Sequence, residues 1–314
     1  MDNIKQKNKV SFTVPVFNNF GSLLKTYEQI KNIFEFELSD FDFEVNFVND
    51  GSKDDSLKEL ILIKKKFTNV KIIDFSRNFG AISAITAGNR EASGDIVVVV
   101  SADLQDPIQM VVEMIKYWKQ GNEIVICYRE SRNDKFINKI TSRFYFKMVE
   151  YHVKEKIPKG GFDYFLLDRK ALNELNKIND KIRGLHFDIL SLGFNKQYIP
   201  YERMKREIGK SQWTFRTRFR DFFNAFISIS FLPIRLITFF GMIFSLSGFI
   251  YSLLIIRAWF FNNVPFKGWA PIMVLLLVIG GFLMLMLGII GEYIWRIYEE
   301  TKKRENYIIK RKYE

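Results

Sequence analysis

Residues 95–107 read Asp95-Ile96-Val97-Val98-Val99-Val100-Ser101-Ala102-Asp103-Leu104-Gln105-Asp106-Pro107. The unbroken aliphatic run lacks the apolar–polar alternation of a strand with one wet face. It therefore predicts a strand buried on both sides, as in a parallel sheet covered by helices. The acidic, polar stretch after it falls where such sheets bind ligands, beyond the carboxyl end of a strand. Asp103, Gln105 and Asp106 offer hard oxygen atoms suited to Mg²⁺ or Mn²⁺ carrying waters and a diphosphate. Asp106 also suits the cap of a helix whose first residue is Pro107, and both readings stand together.

Working outward, apolar strand-like runs recur at 10–17, 43–49, 70–75 and 123–128. Helix-like segments lie between them at 21–36, 54–67, 81–92 and 107–119, with another at about 135–153. This alternation predicts an α/β fold with a mostly parallel sheet and helices on both faces. The strand ends carry Asn18-Asn19, Asn49-Asp50-Gly51-Ser52 and Ser76-Arg77-Asn78. No G-x-G-x-x-G follows the first strand and no G-x-x-x-x-G-K-[ST] occurs, which disfavours a Rossmann dehydrogenase and a P-loop NTPase.

The 314 residues suit one large or two modest domains, and 48% apolar with 26% charged residues argues against disorder. A net charge of +12 points to anionic partners. Cys127, the one cysteine, has no disulfide partner and lies in an apolar run, where a buried inert thiol is expected. Two histidines and one cysteine are too few for a zinc cluster. His186, in an amphipathic helical pattern, reads as a packing residue, and His152 as a residue at a helix end. The first ten residues lack an apolar core, so no cleavable signal peptide is expected.

Leu236–Ile256 is 21 residues without a charge and Gly268–Gly291 is 24. At about 1.5 Å per residue each is long enough to cross a bilayer core. Arg203, Lys205, Arg206, Lys210, Arg216, Arg218, Arg220 and Arg235 precede the first span, and Arg296, Lys302, Lys303, Arg304, Lys310, Arg311 and Lys312 follow the second. The loop between them holds only Arg257 and Lys267, so positive-inside bias puts both termini in the cytoplasm. Gly241, Ser245, Gly248 and Ser252 give the first span a small-residue face for close packing. Trp213–Leu232 mixes aromatic and basic residues as an interfacial helix does; its place before a span disfavours nucleic acid. The expected domains are residues 1–212 (cytoplasmic α/β domain), 213–234 (interfacial helix), 235–295 (hairpin, with spans at about 236–256 and 269–291) and 296–314 (a solvated basic tail).

Eight motifs in order carry a resemblance: VPVFNN (14–19), VNDGSKDDS (48–56), RNFGAISAITAG (77–88), SADLQDP (101–107), YRESR (128–132), FDYFLLDR (162–169), REIGKSQW (206–213) and GEYIWRIYEE (291–300). Together with the hairpin they resemble the inverting glycosyltransferases of family 2, in the branch that uses polyprenyl phosphate. The resemblance implies a GT-A type fold and transfer from a nucleotide sugar, with a UDP-sugar favoured, to a lipid phosphate such as undecaprenyl phosphate. It also implies Mg²⁺ or Mn²⁺, a bacterial inner-membrane location and a homo-oligomer, tetrameric in relatives. By position, Pro15, Val16, Asn18, Asp50 and Ser101 would line the nucleotide pocket. Asp103 and Gln105 would hold the cation, and Asp163 would be the base. Arg129, Arg132, Ser142, Arg206, Lys210 and Ser211 would meet phosphate.

The sequence departs from the family pattern in five places. Ser101 replaces the first Asp of D-x-D, Asn49 the first Asp of V-D-D, Asn19 a Glu, Phe165 an Arg and Gln212 a Lys. Phe165 and Gln212 thereby remove two cations expected near the phosphates. Two other classes remain open. A processive polysaccharide synthase is disfavoured because Q-x-x-R-W is absent. A non-catalytic nucleotide-binding scaffold is motivated by Ser101, Asn49 and Phe165.

Overall fold

Strand and helix alternate through the first two hundred residues close to where the hydrophobic periodicity puts them. The computed structural model describes residues 7–129, 162–178, 185–202, 232–261, 270–302 and 305–314, with a few positions between 147 and 157. It divides into two units, residues 1–225 with 305–314, and residues 226–304.

In the first unit the elements are β1 (Asn8–Val16), α1 (Leu23–Phe36), β2 (Phe41–Asn49), α2 (Ser56–Lys66), β3 (Val70–Phe75) and α3 (Ala81–Glu91). They continue with β4 (Ile96–Val99), α4 (Met110–Lys119), β5 (Ile124–Arg129), β6 (Tyr164–Asp168), α5 (Arg169–Lys177), α6 (Leu185–Ser191) and β7 (Lys196–Tyr201). After the two helices of the second unit, α7 (Leu232–Phe260) and α8 (Ala270–Thr301), the chain returns as β8 (Ile309–Tyr313). The sheet has eight strands in the order β7-β5-β6-β4-β1-β2-β3-β8. The pairings are parallel except where β6 meets β4 and β5, and where β8 meets β3.

The pleat sorts β1 between two faces. Val10, Phe12, Val14 and Val16 point into one core with Leu23, Tyr27, Ile30 and Phe34 of α1. Phe12 meets Phe34 edge-on at 5.8 Å. Burying one such ring contributes about 1.5–3 kcal/mol. On the other face Ala84 and Ala87 of α3 pack with Val48, Ile73 and Phe75. A Cβ on Gly88 would fall 2.5 Å from the Thr13 methyl, so only glycine lets α3 lie this close to β1.

Four expectations change. First, α4 begins at Met110 rather than Pro107. Pro107–Gln109 form a turn whose carbonyls accept the N–H groups of Met110, Val111 and Val112, and Asp106 instead bonds residues of the site. Second, the tail is not a solvated segment: residues 309–313 are a strand antiparallel to β3. Third, the hairpin's second helix extends to Thr301, past the expected boundary at 295. Fourth, a Cβ on Gly248 would meet nothing within 4 Å, and one on Gly241 would meet only Met286 at 3.9 Å. The small-residue face is therefore no tight seam among the described residues. The expected helix at 135–153 falls largely, and the interfacial helix at 213–234 mostly, outside the described residues.

In the second unit, α7 and α8 contain two stretches long and apolar enough to cross a membrane, Ile234–Tyr251 and Val278–Trp295. At most 6% of either is buried, unlike the core helix of a soluble domain. Phe244 and Phe282 join the two helices, with ring centroids 4.9 Å apart.

Candidate active site

Because β1–β5 and β7 run one way, their carboxyl ends gather at one edge of the sheet, together with the amino ends of β6 and β8. Three groups of side chains lie there.

The first group surrounds Asp50, just beyond β2. Its N–H donates to Val16 C=O at 2.8 Å. Its carboxylate accepts the N–H groups of Phe79 at 2.6 Å and Gly80 at 2.9 Å. Burial lifts the Asp50 carboxyl above its ordinary range, opposed by those two N–H groups and the Arg77 charge. Gly51 has φ +63°, and a Cβ there would sit 2.4 Å from the Arg77 carbonyl carbon. The 77–80 loop can close over Asp50 only because that residue is glycine. Asn18, at φ 55°, accepts the Lys53 N–H at 2.8 Å, tying the β1–α1 loop to the β2–α2 loop. Pro15 is half-buried beside them. Val16 corrects one expectation: its side chain is fully buried in the core, so it lines no open pocket.

The second group is the loop after β4. Asp103 is buried, and its Oδ1 accepts the Gln105 N–H at 3.3 Å. Leu104 between them adopts φ 59°, a conformation rare for a side chain of this size. Asp106 is a buried acceptor for the Ser101 hydroxyl and for the Tyr201 hydroxyl, the latter at 2.9 Å. Ser101 thus serves Asp106, where an aspartate would set two carboxylates face to face. Among the described residues no three His, Cys, Asp or Glu side chains form a self-sufficient metal cage. Asp103 and Gln105 carry hard oxygen donors of the kind that suit a divalent cation.

The third group joins β5, β6 and α6. Arg129 Nη2 donates to Asp163 Oδ2 at 2.5 Å, and His186 Nε2 lies 3.4 Å from Asp163 Oδ1. Burial disfavours the Arg129 charge, but Asp163, Tyr201 and Asp106 outweigh it and raise the pKa. Arg129 Nε is buried without a hydrogen-bond partner. His186 packs edge-on against Phe162 at 4.9 Å, and its Nε2 also faces Asp163. Phe165 is fully buried between Val99 and Ile126, so position 165 belongs to the core and faces no phosphate. Cys127 is buried and its thiol pKa is raised by that burial, as an inert residue should be. Tyr201 escaped sequence reasoning altogether, since nothing local to KQYIPY signals a partner near residue 106. Arg132, Ser142, Arg206, Lys210, Ser211, Gln212 and His152 lie outside the described residues.

A mostly parallel sheet with helices on both faces and an acidic loop after its fourth strand defines a protein of the GT-A glycosyltransferase type. The glycosyl transferase family 2 model matches residues 11–176, and the chain belongs to that family. The glycosyltransferase YkcC of Bacillus subtilis is 36% identical, covering 96% of this chain and 94% of its own. The prophage bactoprenol glucosyl transferase homolog of Escherichia coli is 30% identical, covering 96% and 99%. Among solved structures, glucosyl-3-phosphoglycerate synthase from Mycobacterium tuberculosis aligns with a TM-score of 0.50 at 14% identity, covering 71% of this chain and 79% of that one. That likeness concerns the fold.

Proposed function

We propose that the chain transfers a sugar from a nucleotide-sugar donor, with a UDP-sugar favoured, to a polyprenyl phosphate at the cytoplasmic face of a bacterial membrane. The observation that carries this reading is the presence in one chain of a strand-end acidic site and two exposed apolar helices. Relatives named bactoprenol glucosyl transferases, similar over nearly the whole chain, support it. The basic flanks of α7 and α8 favour a catalytic domain and both termini on the cytoplasmic side.

In this reading Pro15, Asn18 and Asp50 line the nucleotide site, with Ser101 keeping Asp106 in place beside the diphosphate. Asp103 and Gln105 would hold Mg²⁺ or Mn²⁺, which when bound neutralises charge on the leaving diphosphate. Arg129 adds a fixed positive charge, with a buried Nε still able to donate. The acceptor phosphate attacks the sugar C1 opposite the departing diphosphate, inverting that centre. A phosphate monoester has a second pKa of about 6, so little base catalysis is required near neutrality. Asp163, already held by Arg129 and His186, orients the acceptor or takes its residual proton. Arg132, Ser142, Arg206, Lys210 and Ser211 would also meet phosphate, as the family resemblance implies.

The test is transfer of radiolabel from UDP-glucose and other nucleotide sugars to undecaprenyl phosphate by purified chain in detergent with Mg²⁺ or Mn²⁺. Labelled lipid in the organic extract is expected. Nucleotide binding without transfer from any donor would favour the scaffold reading. Asp103→Ala should abolish transfer while membrane insertion persists; wild-type turnover would remove the metal role.

A further inference from the structure

The segment after α8 returns to the catalytic unit at a place that matters for the donor site. The Tyr307 ring stacks on Phe75, with centroids 4.9 Å apart and planes 13° from parallel. Phe75 in turn meets Phe79 edge-on at 5.7 Å. The Ser76 N–H donates to Ile308 C=O at 3.0 Å, and the Ser83 hydroxyl donates to Asn306 C=O at 3.4 Å. Farther along, Lys312 pairs with Glu91 at 2.6 Å. Residues 76–80 are thus held from one side by the tail. From the other side the Phe79 and Gly80 N–H groups are fixed by the Asp50 carboxylate.

We propose that Tyr307 and its neighbours 306–309 are positioning residues for the nucleotide site, acting through the 76–80 loop on Asp50. This rests on Asp50 belonging to the donor pocket. The Tyr307 ring on Phe75, itself packed on Phe79, and the hydrogen bond from Ser76 supply in advance part of the ordering that a loop of five residues would otherwise lose as entropy on binding. The chain leaves the sheet at one edge strand, β7, and comes back at the opposite edge, β8. The loop over Asp50 is therefore completed only by residues synthesised after the second apolar helix. The donor site of a chain that stops at α8 lacks its support, so sugar-nucleotide binding is tied to completion of the membrane-anchored chain.

Full-length protein in detergent tests this, with hydrogen exchange of the peptide covering 76–81 and UDP affinity as readouts. Tyr307→Ala should speed exchange at 76–81 and weaken UDP about tenfold, the scale of one lost aromatic contact. The donor KM should rise while the acceptor KM and the exchange of β1 and β4 stay at wild-type values. Tyr307→Phe, which keeps the ring on Phe75 and loses only the 3.4 Å hydrogen bond from Arg90, should keep exchange at 76–81 and UDP affinity close to wild type. Wild-type exchange at 76–81 in Tyr307→Ala, or faster exchange spread evenly over the sheet, would overturn the coupling. Unchanged UDP affinity in Asp50→Asn, with 76–81 still responding to Tyr307→Ala, would instead overturn the donor-site assignment of Asp50.

Discussion

The side-chain amide of Asn49 donates to the Asp74 carboxylate at 2.7 Å, with both residues buried. The family pattern that the sequence resembles has an aspartate where this chain has Asn49, and this pairing shows why asparagine suits this chain. Asn49→Asp would place two carboxylates in one buried site. One must then take up a proton or lose its partner, at about 2–4 kcal/mol near neutrality. The folded-state pKa of that group rises above its unfolded value, so the deficit is full at pH 7 and fades as pH falls toward about 4. The thermal midpoint of Asn49→Asp relative to wild type, measured at pH 7.5 and pH 5, checks this: the gap should narrow at the lower pH.

Glu44 carries the opposite shift, although the deficit of its variant also fades toward acid. It is buried and accepts from Lys9 Nζ at 2.8 Å, from the Ser11 and Ser93 hydroxyls and from the Ser93 N–H. Burial alone would raise its pKa, but these donors together lower it from 4.5 to about 2. A carboxyl depressed on folding stabilises the fold above its unfolded pKa and loses that contribution as pH falls through the folded one. The shift corresponds to about 3 kcal/mol at neutrality. Glu44→Gln should therefore lower stability by roughly 2–3 kcal/mol at pH 7. Its difference from wild type should shrink between pH 4.5 and about 2, as followed by denaturant titration.

Much of this was legible in the sequence, and the parts that were not share a physical cause. Strands β1 to β5 stood out because strands buried on both faces are written as aliphatic runs, whatever their partners. Asp50 and Asp103 were legible as candidates because each follows a strand-like run, whereas Arg129 and Asp163 came only from the family resemblance, through YRESR and FDYFLLDR. The strand β8 was not: Lys310, Arg311 and Lys312 are exposed, and its pairing is with β3, more than two hundred residues earlier. An edge strand with outward charges looks locally like a solvated tail. Likewise nothing near Tyr201 or His186 announces Asp106 or Asp163, since those meetings depend on the sheet order. Ser101 and Asn49, read as losses of charge, turn out to be matched to Asp106 and Asp74.

Asp106 offers a separable test of that matching. Tyr201→Phe removes one hydroxyl donor from a buried carboxylate and leaves the ring packed on Tyr164. A hydrogen bond to a charged group contributes about 1.5–3 kcal/mol. The variant should unfold earlier by that amount, and Ser101→Ala should do likewise. Because both donors serve the same carboxylate, the double variant should not equal the sum of the singles. A double-mutant cycle on thermal or denaturant midpoints measures this, and strict additivity would show that the two hydroxyls act independently.

Arg129 and Asp163 should likewise fail as a unit, but in kinetics. Asp163 is half exposed, so breaking its ion pair changes stability little. If Asp163 orients the acceptor, Asp163→Asn should lower kcat by about 10²–10⁴ while UDP affinity stays within about twofold. Arg129→Met removes the partner of Asp163 and, in the proposed reading, a cation for phosphate, so it should raise KM for lipid or donor as well as lower kcat. The double variant should lose less than the product of the two single losses, since each single change already disables the pair. His186→Gln keeps a donor toward Asp163 and should cost less than His186→Phe, and equal losses in the two would assign His186 a packing role only. Steady-state transfer assays with each variant, varying lipid and sugar nucleotide in turn, separate these outcomes.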